Sequence, residues 1–151
     1  MSEIIIGVGL DEIKFGMTRE EVKLKLGVPG ESELYSYSEE EEDLTEVWHY
    51  DELEFSISFD EADHWKLVMI ADSNDNHTFK GKYLLGKTFD EVCEILNEIG
   101  LGNFEVDKLD DEGQVIKLED QSINIWFDED IASEFQFGPL WNDDDSPIFP
   151  V

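Results

Sequence analysis

Apolar residues occupy every second position in several short stretches of the chain, and this spacing predicts β-strands with one buried face. One such stretch covers residues 53–59, where Leu, Phe and Ile alternate with Glu and Ser. The next covers 64–71 and places Leu67 and Met69 on one face and Ile70 on the other. In the second half of the chain the same spacing predicts strands over 115–118, 123–127 and 132–137.

Two copies of the pattern G-x-T-x-x-E-V, at 16–22 and 86–92, predict the starts of two helices. The hydroxyl of Thr18 or Thr88 can accept a hydrogen bond from the backbone three residues on. The carboxylate of Glu21 or Glu91 can in turn accept one from the backbone of its threonine, which completes a capping box. These motifs therefore have a structural role at helix starts.

The helical period is clear only in the second copy. Residues 89–98 place their large aliphatic side chains on one face, and Gly100 follows as a stop signal. In the first copy Val22, Leu24 and Leu26 alternate as in a strand. The capping box and the parallel with the second copy favour a helix there, ended by the G-V-P-G segment at 27–30.

Two matches at nearly constant separation indicate an internal repeat. The capping motifs are 70 residues apart, and S-F-D-E at 58–61 is echoed 68 residues later by W-F-D-E at 126–129. A tandem duplication is therefore predicted, with a first unit at 1–76 and a second at 77–151 that ends in a docked C-terminal segment. Each unit is expected to be a helix packed on an antiparallel β-meander, so the fold class is α+β, one compact domain overall.

The run I-K-F-G-M-T-R-E-E-V at 13–22, followed by L-G-V-P at 26–29, resembles a signature of known families. It is similar to the β-lactamase inhibitory protein family and to the SmpA/OmlA-type lipoproteins of outer-membrane assembly. The second copy departs from it, with Lys87 and Phe89 in place of Met17 and Arg19. The resemblance implies a tandem helix-on-sheet fold and a binding role, with contacts made by the concave surface of the sheet.

The charge of the chain narrows the classes of partner. It carries 39 acidic and 10 basic residues, a net charge of −29, yet 40% of its residues are hydrophobic, so it can still form a core. Such a charge repels nucleic acid and anionic membranes and speeds encounter with basic proteins. The one cysteine excludes an internal disulfide, and no stretch approaches the ~20 apolar residues that span a bilayer. A cytoplasmic location is therefore expected, with no direct nucleic-acid or membrane partner.

No pattern of catalytic or metal-binding residues stands out. His49, His64 and His77 have no partner at a recognised ligand spacing, and Cys93 has no evident activating base. The segment 72–76 is rich in side-chain oxygens, but it lacks the glycine and the twelfth-position glutamate of a calcium loop. We therefore expect no catalytic residue, no metal site and no cofactor, and a protein that is not an enzyme.

Binding is the remaining interpretation. If Phe55, Ile57 and Phe59 face the helix, polar residues occupy the opposite face of the sheet, and an exposed Trp there would suit a protein interface. The candidate partner-binding residues are Glu54, Ser56, Ser58, Asn124, Trp126 and Trp141. The alternative is that Trp126 packs under the C-terminal segment near Trp141.

The preferred hypothesis is a cytoplasmic immunity or inhibitor protein that neutralises a basic, nuclease-like toxin. Two alternatives stay open. One is a structural or assembly module that docks on another protein, and the other is a binder of divalent cations or small ligands.

Overall fold

A computed structural model describes residues 3–35, 44–108, 113–143 and 146–149. Within these ranges it contains two α-helices, α1 (Arg19–Leu26) and α2 (Phe89–Glu98), together with mostly antiparallel strands. The mixed α+β class is therefore confirmed. The acidic run at 39–43 lies outside the described residues. The strands are β1 (Glu3–Ile5), β2 (Gly9–Leu10), β3 (Ile13–Lys14), β4 (Glu31–Tyr35), β5 (Thr45–Tyr50), β6 (Phe55–Asp60), β7 (Lys66–Asp72), β8 (Thr78–Phe79), β9 (Glu105–Lys108), β10 (Gln114–Leu118), β11 (Ile123–Asp128), β12 (Ile131–Phe137), β13 (Leu140–Trp141) and β14 (Pro147–Ile148).

Eight strands form one antiparallel sheet in the order β4-β5-β6-β7-β12-β11-β10-β9. The chain enters each half of this sheet from a helix, α1 before β4–β7 and α2 before β9–β12. The halves join where β7 pairs with β12, and Phe135 lies opposite Asp72 there. The order of strands in one half is therefore the mirror of that in the other.

The hydrophobic core lies on one face of this sheet. Val22 of α1 and Leu96 of α2 belong to the same buried cluster as the inward side chains of the central strands. A smaller sheet of order β3-β2-β1-β8 covers the same face. It contributes Phe79, whose ring centre is 5.1 Å from that of Phe135. The opposite face of the large sheet carries neither helix.

The two helix starts are attached to the large sheet in the same way. The Gly16 N–H donates to the Leu67 carbonyl at 2.9 Å, and the Gly86 N–H donates to the Ala132 carbonyl at 2.9 Å. Both capping boxes are formed, at Thr18 with Glu21 and at Thr88 with Glu91. The sequence prediction for these helix starts is confirmed, because a cap depends on a few neighbouring residues.

Leu24 is 88% exposed although it lies between two apolar neighbours in the alternating series. In a helix, residues 22 and 26 share one face and residue 24 points away from it. Val22 is accordingly buried and Leu26 is half-buried. The helical interpretation of this segment is confirmed, and the strand-like alternation is incidental.

The predicted faces of β7 are wrong because of a β-bulge. Ser58 pairs with Met69 but the next residue, Phe59, pairs with Leu67, so Val68 is an extra residue in β7. A bulge reverses the alternation of side chains beyond it. Leu67 and Ile70 therefore both point into the core, while Met69 is exposed on the opposite face.

The strand predicted over 53–59 begins only at Phe55. Residues 51–54 form a turn, and Glu54 has a positive φ of 60°. Its carbonyl accepts hydrogen bonds from the backbone and the hydroxyl of Ser73. Glu54 is therefore a corner residue and not, as expected, part of a sheet face.

Candidate functional site

The candidate site is the helix-free face of the large sheet, which we call the free face. Cross-strand register places its residues, because directly paired residues share a face. Its polar and aromatic members include Glu33, His49, Ser56, Ser58, Glu105, Asp107, Lys117, Asn124, Trp126, Glu134 and Gln136. Ser56, Ser58, Asn124 and Trp126 were expected on this face, and the register brings them together there.

A hydrogen-bond chain fixes the aromatic residue near the centre of the free face. The indole N–H of Trp126 donates to Oε1 of Gln136 at 2.9 Å. The amide of Gln136 then donates to Oε2 of Glu134 at 3.0 Å. Trp126 is directly opposite Glu134 in the register of β11 and β12. The ring of Trp126 and the carboxylate of Glu134 therefore form one ordered surface element.

Glu134 is a half-buried carboxyl group on this surface. Its pKa is raised above the ordinary value because burial disfavours the charged form, and the hydrogen bond from Gln136 offsets only part of this. A poorly solvated carboxylate gains when a cation approaches it. Sequence patterns could not identify Glu134, because its environment depends on the register between β11 and β12.

A second cluster of hydrogen-bonded side chains joins β4, β5 and β6 at the other end of the free face. Nδ1 of His49 is 2.7 Å from Oγ of Ser56, and Nε2 is 3.0 Å from Oε2 of Glu33. Glu33 also accepts a hydrogen bond from the hydroxyl of Tyr35. The pKa of Glu33 is lowered, first by the hydrogen bond from Tyr35 and then by that from His49.

The serine, histidine and carboxylate connect in the same order as the groups of a hydrolase triad, and they lie on three neighbouring strands of the large sheet. Ser56 pairs with His49 on one side and with Ala71 on the other, so its backbone lies inside the sheet. The cluster therefore links β4, β5 and β6 through side-chain hydrogen bonds.

Lys117 is a cation of the free face that is already paired with a carboxylate. Nζ of Lys117 lies 2.5 Å from Oδ2 of Asp107, and this ion pair raises the pKa of Lys117. Glu105 and Glu119 add further negative charge around it. The electrostatic character of this part of the face is consequently anionic.

Trp141 lies beside the free face on the hairpin of β13 and β14, and its side chain is 48% exposed. It lines a groove with Asn124 and Gln136. The hairpin is held by Phe149, which packs against Gly16, and by Leu140, which packs against Gly7. Trp126 and Trp141 thus lie on different structural elements, β11 and the C-terminal hairpin.

A buried His77–Asp72 pair was missed by sequence analysis. Nδ1 of His77 is 2.8 Å from both carboxylate oxygens of Asp72, whose side chain is fully buried. Burial raises the pKa of Asp72, and the hydrogen bond from His77 counters this in part. The spacing D-x-x-x-x-H was the available signal, but it acquires meaning only when the intervening loop folds back.

The oxygen-rich loop at 72–76 satisfies its own backbone. The N–H of Asn74 donates to Asp72 Oδ1 at 3.2 Å, and the N–H of Asn76 donates to Asn74 Oδ1 at 2.9 Å. Across the described ranges, no group of three or more His, Cys, Asp or Glu side chains could hold a metal ion.

Burial and the neighbouring Asp90 raise the pKa of Cys93, which disfavours its thiolate.

The chain matches no protein family, no curated protein and no solved structure. None of the helices in the described part of the chain is long and apolar enough to cross a membrane.

Proposed function

We propose that the chain is a non-enzymatic, acidic protein-binding module whose free face docks on a basic protein. The observation that carries this proposal is the Trp126–Gln136–Glu134 chain. It supplies a fixed aromatic ring next to a carboxylate whose charge is poorly solvated, and this combination suits a basic side chain on a partner. Glu134 is half-buried, so the partner completes a solvation that the fold leaves incomplete.

The biological role we propose is that of a cytoplasmic immunity or inhibitor protein that neutralises a basic, nuclease-like toxin. A protein that binds nucleic acid has a positive surface, and the net charge of −29 steers such a surface toward this chain. Covering the positive surface blocks the toxin without any chemistry. The proposal requires no cofactor or metal.

We also propose that the two halves arose by tandem duplication and share the architecture of the inhibitor family that the sequence resembles. Three observations support this. The strand order of the halves is mirrored, both helix starts bond to the fourth strand of their own half, and that strand has a register shift in each half. The units would be 1–76 and 77–151.

The test is affinity capture from a lysate of the native host at low salt, with elution by a salt step. Wild-type chain is immobilised beside Trp126→Ala, Glu134→Gln and Glu98→Gln. The last variant removes an equally negative, exposed residue from α2, so it controls for net charge. We expect one basic protein in stoichiometric amount, retained by Glu98→Gln and weakened at least about tenfold by Trp126→Ala and Glu134→Gln.

Two outcomes count against the proposal. Many basic proteins bound weakly and equally by all variants would mean that the charge serves solubility. A single partner that resists the salt step and is insensitive to Glu134→Gln would favour a structural or assembly module instead.

A further inference from the structure

A groove of about 430 Å³ lies at one side of the free face, between β7 and the C-terminal hairpin. Val68 and Met69 of β7 form one part of its lining, and Trp141 forms another. The β-bulge at Val68 creates this lining, because it turns two consecutive apolar residues of β7 away from the core. The groove therefore offers apolar contact beside the polar residues Asn124 and Gln136, which also line it.

The far end of the groove is negatively charged. Lys117 and Glu119 line it, and both residues also line a smaller adjoining cavity with Glu105 and Asp120. Lys117 is already engaged by Asp107. The carboxylates of Asp107, Glu105 and Glu119 thus act on one ammonium group, and a second cation near Glu119 is favoured.

Elsewhere in this chain an arginine side chain lies between an indole ring and a carboxylate. The guanidinium carbon of Arg19 lies 4.6 Å from the centre of the Trp65 ring, and Nη1 of Arg19 is 3.1 Å from Oε2 of Glu46. A guanidinium held between an indole face and a carboxylate gains stacking and a charge-assisted hydrogen bond together. Trp141 and Glu119 provide the same two groups at the groove, and Arg19 is not among the described residues that line it.

We propose that this groove binds an arginine side chain of the protein partner, with the aliphatic stem on Met69 and the guanidinium at Trp141 and Glu119. The inference rests on the proposed function, since it names the anchor by which the basic partner is recognised. Arginine fits better than lysine because its planar group stacks on an indole and is weakly hydrated. A purely apolar side chain would leave the acidic end of the groove without a counter-charge.

The experiment is a titration of the isotope-labelled full chain, followed by the indole N–H signal of Trp141 and the side-chain amide signal of Asn124. The probes are N-acetylarginine amide, the equivalent lysine compound and the equivalent citrulline compound, a neutral near-isostere of arginine. We expect saturable shifts with arginine, with a Kd on the order of millimolar for so small a ligand. Lysine should bind several-fold more weakly (roughly the loss of one stacking contact), and citrulline should not saturate.

Variants distinguish a site from diffuse attraction. Glu119→Gln and Trp141→Ala should each weaken arginine binding about five- to tenfold, whereas Glu98→Gln, with the same loss of charge, should leave it unchanged. Trp141 is exposed, and Glu119→Gln provides an independent readout should the hairpin loosen. Equal binding of arginine and lysine, equal effects of Glu98→Gln and Glu119→Gln, or no saturable shift would overturn the proposal.

Failure here is distinguishable from failure of the proposed function. Trp126 and Glu134 do not line the groove, so capture of a basic partner that depends on them can succeed while the arginine titration fails. The partner would then be recognised through the Trp126–Gln136–Glu134 chain alone.

Discussion

The two capping-motif glycines provide a matched test of how the C-terminal hairpin is held. Gly16 has a φ of +92° and Gly86 a φ of +89°, so an alanine at either position carries a similar backbone strain. The surroundings differ. A Cβ at residue 16 would lie 2.7 Å from Cγ of Phe149, whereas a Cβ at residue 86 would meet nothing within 4 Å.

The expected loss of stability has two contributions, the backbone strain of an alanine at positive φ and the contact of its Cβ with Phe149. A positive φ costs an alanine about 1–2 kcal/mol, partly offset by about 0.4–1 kcal/mol because alanine restricts the unfolded chain. Gly86→Ala should therefore lower the free energy of unfolding by about 1 kcal/mol. Gly16→Ala adds a steric clash with the ring of Phe149, and overpacking of this kind costs a further ~1–3 kcal/mol.

The assay is urea denaturation of the two variants, alone and combined with Phe149→Ala. With the ring removed, Gly16→Ala should cost the same as Gly86→Ala, and the difference of ~1–3 kcal/mol should vanish. In a thermal melt that difference corresponds to roughly 2–12 °C. Equal costs for Gly16→Ala and Gly86→Ala in the wild-type background would refute the packing of Phe149 on Gly16.

Two further predictions concern caps and acid stability. Thr18→Ala and Thr88→Ala should each lower the free energy of unfolding by about 0.5–2 kcal/mol in denaturant titrations, and unchanged midpoints would contradict the caps. Hydrogen bonds from Thr88 lower the pKa of Glu91 in the folded state, so its contribution is present above the unfolded pKa and is lost as pH falls through the folded one. Burial raises the pKa of Asp72, so its contribution has the opposite sign, being present below the unfolded pKa and lost as pH rises through the folded one. In Asp72→Asn the amide oxygen still accepts from His77, so the stability of the variant relative to wild type should increase as pH rises above the unfolded pKa of the aspartate, about 4. A parallel pair of pH–stability curves would show that this carboxyl does not titrate as described.

Local sequence determined both helices and most of the inner strands. The capping boxes at 18–21 and 88–91 depend on residues within one turn, so they can be predicted without tertiary information. The strands over 55–60 and 123–128 alternate because one face is buried. Because a buried face requires apolar residues at every second position, such a strand can be predicted from the sequence.

Edge strands β4 and β9 were not predicted, and their burial explains why. Both are largely exposed along their whole length, so neither carries an alternating hydrophobic signal. β4 nevertheless supplies Glu33 to the cluster around His49. An edge strand is defined by its neighbour, and only the paired sheet reveals it.

The sequence alone determined an acidic chain with two capped helices, alternating strands and a candidate polar sheet face that includes Trp126. Only the tertiary structure decided which polar residues meet on that face and in what state. The bulge at Val68 exposes Met69, register brings Gln136 between Trp126 and Glu134, and burial perturbs the carboxyl group of Glu134. These features depend on contacts between strands that are distant in sequence, and a local pattern does not encode the register that creates them.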